Sequence, residues 1–184
     1  MTLQLKRKIE LKTKGESTRL TGNSLVATLS WHKAIDLDLH AFYLTNSGDE
    51  GRCYFANLTG PHIRLSGDEG IGDVGGDNVE VLKVDKVDNF KEILVAVNVF
   101  GKSNAVFADY DGKITVKCGT DEITVPLISK EKGSWCTVAK LVMDNDGNIP
   151  RLSNVNHVTN KRPKMENRAT KGFMGFMRNL VGGN

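Results

Sequence analysis

The sequence predicts an all-β fold: an antiparallel β-sandwich followed by a basic C-terminal arm and a short amphipathic C-terminal helix. Three observations carry this. Apolar stretches of strand length recur through the body of the chain, each closed by Gly, Asn, Asp or Ser. Helical periodicity is almost absent there. Length and composition are those of one globular domain with a tail, since the chain has 184 residues, 39% hydrophobic and 26% charged.

The elements follow in order. Leu3, Leu5, Ile9 and Leu11 alternate with polar residues as in a half-exposed strand, and Gly15-Glu16-Ser17-Thr18 reads as a turn. Leu25–Trp31 reads as a strand entering the core, and Ile35–Leu44 as another, ended by Asn46-Ser47-Gly48. Short strands are expected at Arg52–Phe55 and His62–Leu65, then at Val79–Val84 and Ile93–Phe100, with a short turn near Asp88–Lys91. Asp111-Gly112 predicts a tight hairpin between Ala105–Ala108 and Lys113–Cys118. Gly119-Thr120-Asp121 leads into Glu122–Leu127, and Trp135–Met143 is closed by Asp144-Asn145-Asp146-Gly147. The two tryptophans, Trp31 and Trp135, are expected as core anchors.

The composition changes after residue 148. Residues 149–172 are polar and basic, carry Pro150 and Pro163, and read as a linker or loosely packed arm. The predicted division is therefore a sandwich domain at 1–148 and an arm with its tail at 149–184. Phe173, Phe176, Met177, Leu180 and Val181 fall on one helical face. Such a helix is too short to stand alone. It docks on its own sandwich, on a protein partner through Phe173, Phe176, Met177 and Leu180, or weakly on a membrane.

Charge is segregated. Residues 1–20 carry six basic and two acidic side chains; residues 21–150 carry twelve and nineteen; residues 151–184 carry seven and one. The folded body is thus acidic, which argues against a nucleic-acid-binding domain. No apolar run reaches the length of a membrane span, and the N-terminus shows no secretory signal. The three cysteines, Cys53, Cys118 and Cys136, are far apart without a CxxC, so buried free thiols and a cytoplasmic protein are expected.

The most informative stretch is Ser66–Glu80, with five glycines and five carboxylates and no Lys, Arg or Pro. Like charges so crowded repel unless a cation neutralises them, and the glycines let carbonyls turn inward. A second group lies on the strand Ile35–Leu44. There Asp36, Asp38 and His40 share one face, and Leu37, Leu39 and Ala41 the other. Calcium suits an oxygen-rich, flexible donor set; zinc does not, because no sulfur or imidazole has ligand spacing. A solvated acidic turn is the plainer alternative.

These residues resemble the TerD tellurium-resistance and stress-response family. Asp36-Leu37-Asp38-Leu39-His40-Ala41-Phe42-Tyr43-Leu44 is similar to the family's DLDASAFLL strand, and Gly67-Asp68…Gly72-Asp73…Gly76-Asp77-Asn78 to its GDN…GEGDGDDE loop. Trp135 before Ala139-Lys140-Leu141 is similar to its terminal strand, and Val97-Asn98-Val99-Phe100 stands where the family has its long central strand. The resemblance covers about residues 25–143. It implies a calcium-binding sandwich, commonly with two ions, in a cytoplasmic stress protein of a bacterium or phage. Carried over by position, the ligands it implies are Asp36, Asp38, Asp68, Asp73, Asp77 and Asn78. Gly75 replaces a family aspartate, and Val79 stands where a glutamate is expected, with Glu80 one step later. Glu80 is therefore taken as a candidate ligand too, and one of the two sites is expected to be lost or weakened.

Other signals point away from catalysis. Asp144-Asn145-Asp146-Gly147 and Asp109-Tyr110-Asp111-Gly112 begin like EF-hand loops but have Val155 and Thr120 at the twelfth position. There is no GxSxG elbow and no phosphate-cradling loop. Asp36 and Asp38 are too close to act on opposite sides of a glycosidic bond. A non-enzymatic, calcium-ordered scaffold or binding module is expected. The alternative is a docking module that uses its C-terminal tail without metal.

Overall fold

The computed structural model describes residues 6–66, 78–143 and 149–165. It is an all-β sandwich of a seven-stranded and a six-stranded sheet, with a two-stranded ribbon beside them. The strands, in chain order, are β1 (Arg7–Glu10), β2 (Ser17–Arg19), β3 (Leu25–Trp31), β4 (Leu37–Thr45), β5 (Glu50–Cys53), β6 (Thr59–Gly60), β7 (Ile63–Leu65), β8 (Asn78–Val84), β9 (Phe90–Val99), β10 (Ala105–Val106), β11 (Lys113–Cys118), β12 (Asp121–Pro126), β13 (Lys132–Gly133), β14 (Trp135–Met143) and β15 (Pro150–Thr159). The first sheet runs β1-β12-β11-β3-β8-β7-β6, the second β2-β15-β14-β9-β4-β5, and β10 pairs with β13. Every pairing is antiparallel except β1 with β12, which is parallel.

Period-two alternation builds the core. In β3, Leu25, Ala27, Leu29 and Trp31 are buried while Val26, Thr28 and Ser30 lie on the outer side. Opposite them in the second sheet stand Leu37, Leu39 and Ala41 of β4 with Ile93, Val95 and Val97 of β9, all in one cluster with Phe107 and Phe90. The Trp31 indole is fully buried and donates to the Ile35 carbonyl at 3.0 Å, so its one polar group is satisfied. Removing an aromatic side chain from such a position costs about 3–5 kcal/mol. Gly51 and Gly60 admit the Tyr43 ring at the seam between β5 and β6; a Cβ at either would overlap the phenol.

The predicted strands at Leu25–Trp31 and Trp135–Met143 are found with those bounds. Four expectations change. The stretch read as a turn at Gly15–Thr18 holds β2, which pairs with β15. Asp111 does turn the chain, at φ 51°, but no hairpin crosses it. Phe107–Tyr110 is a 3-10 turn, and β11 pairs with β3 and β12 instead. Residues 149–172 are not all linker, because Pro150–Thr159 form β15 between β14 and β2. The sandwich thus takes in residues beyond the expected boundary at 148. Trp135 lies outside the main core, because Cys136 and not Trp135 faces inward at the start of β14. The amphipathic tail with Phe173, Phe176, Met177 and Leu180, and the turn at Asp144–Gly147, lie outside the described residues.

The N-terminal strand is locked by charge. Asp121 accepts from both Nε and Nη2 of Arg7 at 2.7 Å, and from the Thr21 amide and hydroxyl at 3.1 and 3.0 Å. The Arg7 bonds, with Thr21 adding to them, hold the Asp121 carboxyl below the usual range.

Candidate functional site

β4 and β8 meet at one end of the sandwich. β8 pairs with β3 so that Asn78 stands opposite Trp31 and Glu80 opposite Leu29. The alternation in β8 turns Asn78 and Glu80 to the buried side, in line with Leu82 and Val84. Two polar side chains therefore occupy positions where the rest of the strand buries aliphatic ones. Asn78 Nδ2 donates to the Trp31 carbonyl at 3.1 Å. Glu80 is 2% exposed, and its Oε2 accepts from the Leu39 amide at 2.6 Å.

That last bond joins the two sheets. β5 pairs with β4 only from Leu44 back to Ala41. Beyond Ala41 that edge of β4 has no β5 partner, and the Glu80 carboxylate takes the Leu39 amide there. It satisfies a buried backbone donor that the short β5 cannot reach.

Asp36 and Asp38 are at this same end of β4. Asp38 is 5% exposed and pairs in register with Asn98 of β9, whose Nδ2 donates to the Ser134 carbonyl at 2.8 Å. Asp36 is half-buried just before β4, its carbonyl accepting from the Phe100 amide at 3.2 Å. Asp36, Asp38, Asn78 and Glu80 each take part in a further polar interaction beyond these. The structure thus brings four of the seven candidates to one end of the fold. Asp68, Asp73 and Asp77 lie outside the described residues. Among the described residues, no three Asp, Glu, His or Cys side chains are gathered as a metal site.

The donors at this end are oxygens: three carboxylates and one carboxamide. That chemistry fits a hard cation such as calcium better than zinc. A buried carboxylate also needs a cation, hydrogen bonds or protonation to offset its lost hydration.

His40 follows the aspartates on the same face of β4 but serves a different environment. It is 3% exposed and packs against Trp135 at 4.7 Å between ring centroids, Tyr54 at 5.8 Å and Phe42 at 6.1 Å. Its Nδ1 has no hydrogen-bond partner among the described residues. Burial, followed by the positive charges of Arg52 and Arg162, pushes its pKa from 6.5 down to about 3. His40 is therefore neutral at physiological pH. The Arg52 guanidinium lies 3.5 Å from the Tyr54 ring centroid. Sequence reasoning missed this cluster. The signal was present in Leu37–Leu44, a run with apolar residues on both faces, which marks a strand covered on both sides.

The three cysteines are free and buried. Burial raises the thiol pKa of Cys53 to about 11 and of Cys136 to about 12, and raises that of Cys118 as well. Thiols so shifted are poor nucleophiles at neutral pH.

No protein-family model matches this chain, and no curated protein does. Among solved structures, the chain is similar to the ASH/PapD-like domain 7 of human CEP192. The identity is 13% and the TM-score 0.22, over 67% of this chain and 77% of that one.

Proposed function

We propose that this protein is a non-enzymatic, calcium-binding β-sandwich of the kind the TerD resemblance implies, acting in a cytoplasmic stress response as a metal-ordered scaffold. The observation that carries the reading is the Glu80–Leu39 bond. It fixes the start of β8 against the start of β4 with buried Asp38 and Asn78 beside it. The sequence leading into β8 is the glycine-rich acidic stretch, so its carboxylates enter the chain where β8 begins.

In this reading, Asp36, Asp38, Asn78 and Glu80 provide a fixed half of the donor set. Asp68, Asp73 and Asp77 provide the half that calcium gathers. The bound ion supplies positive charge to a cluster of carboxylates that otherwise repel. Because the ion binds the assembled site and not the open chain, its binding energy adds to folding stability. Three free thiols suit a reducing compartment.

Calorimetric titration of calcium into the wild type and Asp38→Ala, with melting curves in calcium and in chelator, tests this. The wild type should bind one or two ions and melt higher in calcium; Asp38→Ala should bind fewer or more weakly. No shift in melting at millimolar calcium would overturn the reading and leave a metal-independent docking module in its place.

A further inference from the structure

The outer face of the second sheet is not left to solvent as the outer face of the first is. After Thr159 the chain turns back, and Arg162–Met165 run across β4, β9 and β14. Met165 packs with Trp135 on a small apolar cluster of Phe42, Leu94 and Ala96, separate from the main core. Every residue of β4 is buried.

The cover is incomplete. A cleft of about 470 Å³ opens between β5 and the strap, walled by Phe42, Gly51 and Arg52. A second, of about 340 Å³, opens on the other side of Pro163 over Leu94, Thr137 and Val155. Their walls also carry charge, Glu50 with Arg52, Arg162 and Lys164 in one, and Glu92 with Lys140 and Lys164 in the other. Nineteen residues follow Met165. Phe173, Phe176, Met177, Leu180 and Val181 are spaced to form one apolar face.

We infer that the C-terminal segment 173–181 docks in cis on the outer face of β4, β9 and β14, continuing the contact that Met165 begins. Two arguments choose this occupant. The contact is already made by the residue that leads into the segment, so docking is intramolecular and starts at a high effective concentration. A helix too short to be stable alone gains its stability from a face to lie on.

The test uses the full chain with Gly182→Cys carrying a nitroxide label. Position 182 falls opposite Phe173 on a helical wheel, and the native thiols are buried. Docking in cis predicts loss of the amide signals of Leu94, Thr137 and His157 relative to the reduced label, with Val26 and Val81 of the first sheet unaffected. Phe176→Ser with Met177→Ser, which leaves the described residues untouched, should restore those signals. Uniform or absent losses would overturn the inference. So would losses seen only when labelled and isotope-enriched copies are mixed, which assign the tail to a second copy. Losses that vanish when anionic vesicles are added, with the tail bound to lipid, would assign it to a membrane instead.

Discussion

Glu80 Oε2 accepts the Leu39 amide hydrogen at 2.6 Å, so a side chain of one sheet completes the backbone of the other. The relation follows from two local facts. β5 stops short of Leu39, and the alternation of β8 turns Glu80 inward. Without that carboxylate the Leu39 amide would be buried with no acceptor.

Glu80→Ala should therefore lower stability by about 1.5–3 kcal/mol, the range for a charge-assisted hydrogen bond to a buried group. Glu80→Gln keeps an oxygen for the amide and should cost less. Urea unfolding without calcium measures both. Calcium titration separates the structural role from ligation, because Glu80→Gln should still weaken binding of the ion.

His40 predicts a pH dependence with a definite sign. Its native pKa is about 3, against 6.5 for an ordinary histidine. The unfolded chain therefore takes up a proton between these values and the native state does not. Stability attributable to His40 is complete above pH 6.5 and falls as pH drops toward 3. Between pH 6.5 and 4.5 the loss should be about 2–3 kcal/mol, at about 1.4 kcal/mol per pH unit. Burial is the larger cause, and the positive charges of Arg52 and Arg162 add to it. His40→Phe, which suits the aromatic cluster, should flatten this limb of the urea-midpoint profile.

Asp121 contributes on the acid side. Hydrogen bonding by Arg7 depresses its pKa, so its contribution is present above about pH 4 and is lost as pH falls through the lower native value. Asp121→Asn should destabilise the protein at pH 7 and show a smaller further loss between pH 4 and 2 than the wild type. Amide exchange should show β1 opening first in the variant, since Arg7 pairs with Asp121 where β1 lies on β12.

Much of the sandwich was legible in the sequence because its core positions are apolar. Leu25, Ala27, Leu29 and Trp31 announce both the strand and its buried face. Asp36, Asp38 and His40 were placed on one face by the same rule, and β4 confirms it for Asp38 and His40 against Leu37, Leu39 and Ala41. What the rule could not show was depth. The rule gives His40 a face but not the Tyr54 and Trp135 rings, distant in sequence, that pack against it. β15 failed for the converse reason. Its buried positions are Pro150, Leu152, Asn154, Asn156 and Val158, so polar residues stand where an apolar alternation would be sought. The signal read as a linker because the partners of these asparagines are distant in sequence.

Asn156 shows what those partners do, and it gives the last prediction. It is 3% exposed; its Oδ1 accepts from the Ile128 amide at 3.0 Å, and its Nδ2 donates to the Pro126 carbonyl at 3.0 Å and to Asn154 Oδ1 at 2.7 Å. It also sits at φ 40°, where the register of β15 against β14 shifts. Asparagine tolerates that left-handed backbone, and its amide caps the end of β12. Asn156→Ala loses the hydrogen bonds and strains the backbone; Asn156→Gly loses only the bonds. Both should destabilise by about 2 kcal/mol or more through buried groups left unpaired, with alanine worse than glycine by about 1 kcal/mol. Urea unfolding of the two variants beside the wild type measures this. Equal losses would show that the left-handed position carries no strain, and a negligible loss in both would show that water replaces the amide.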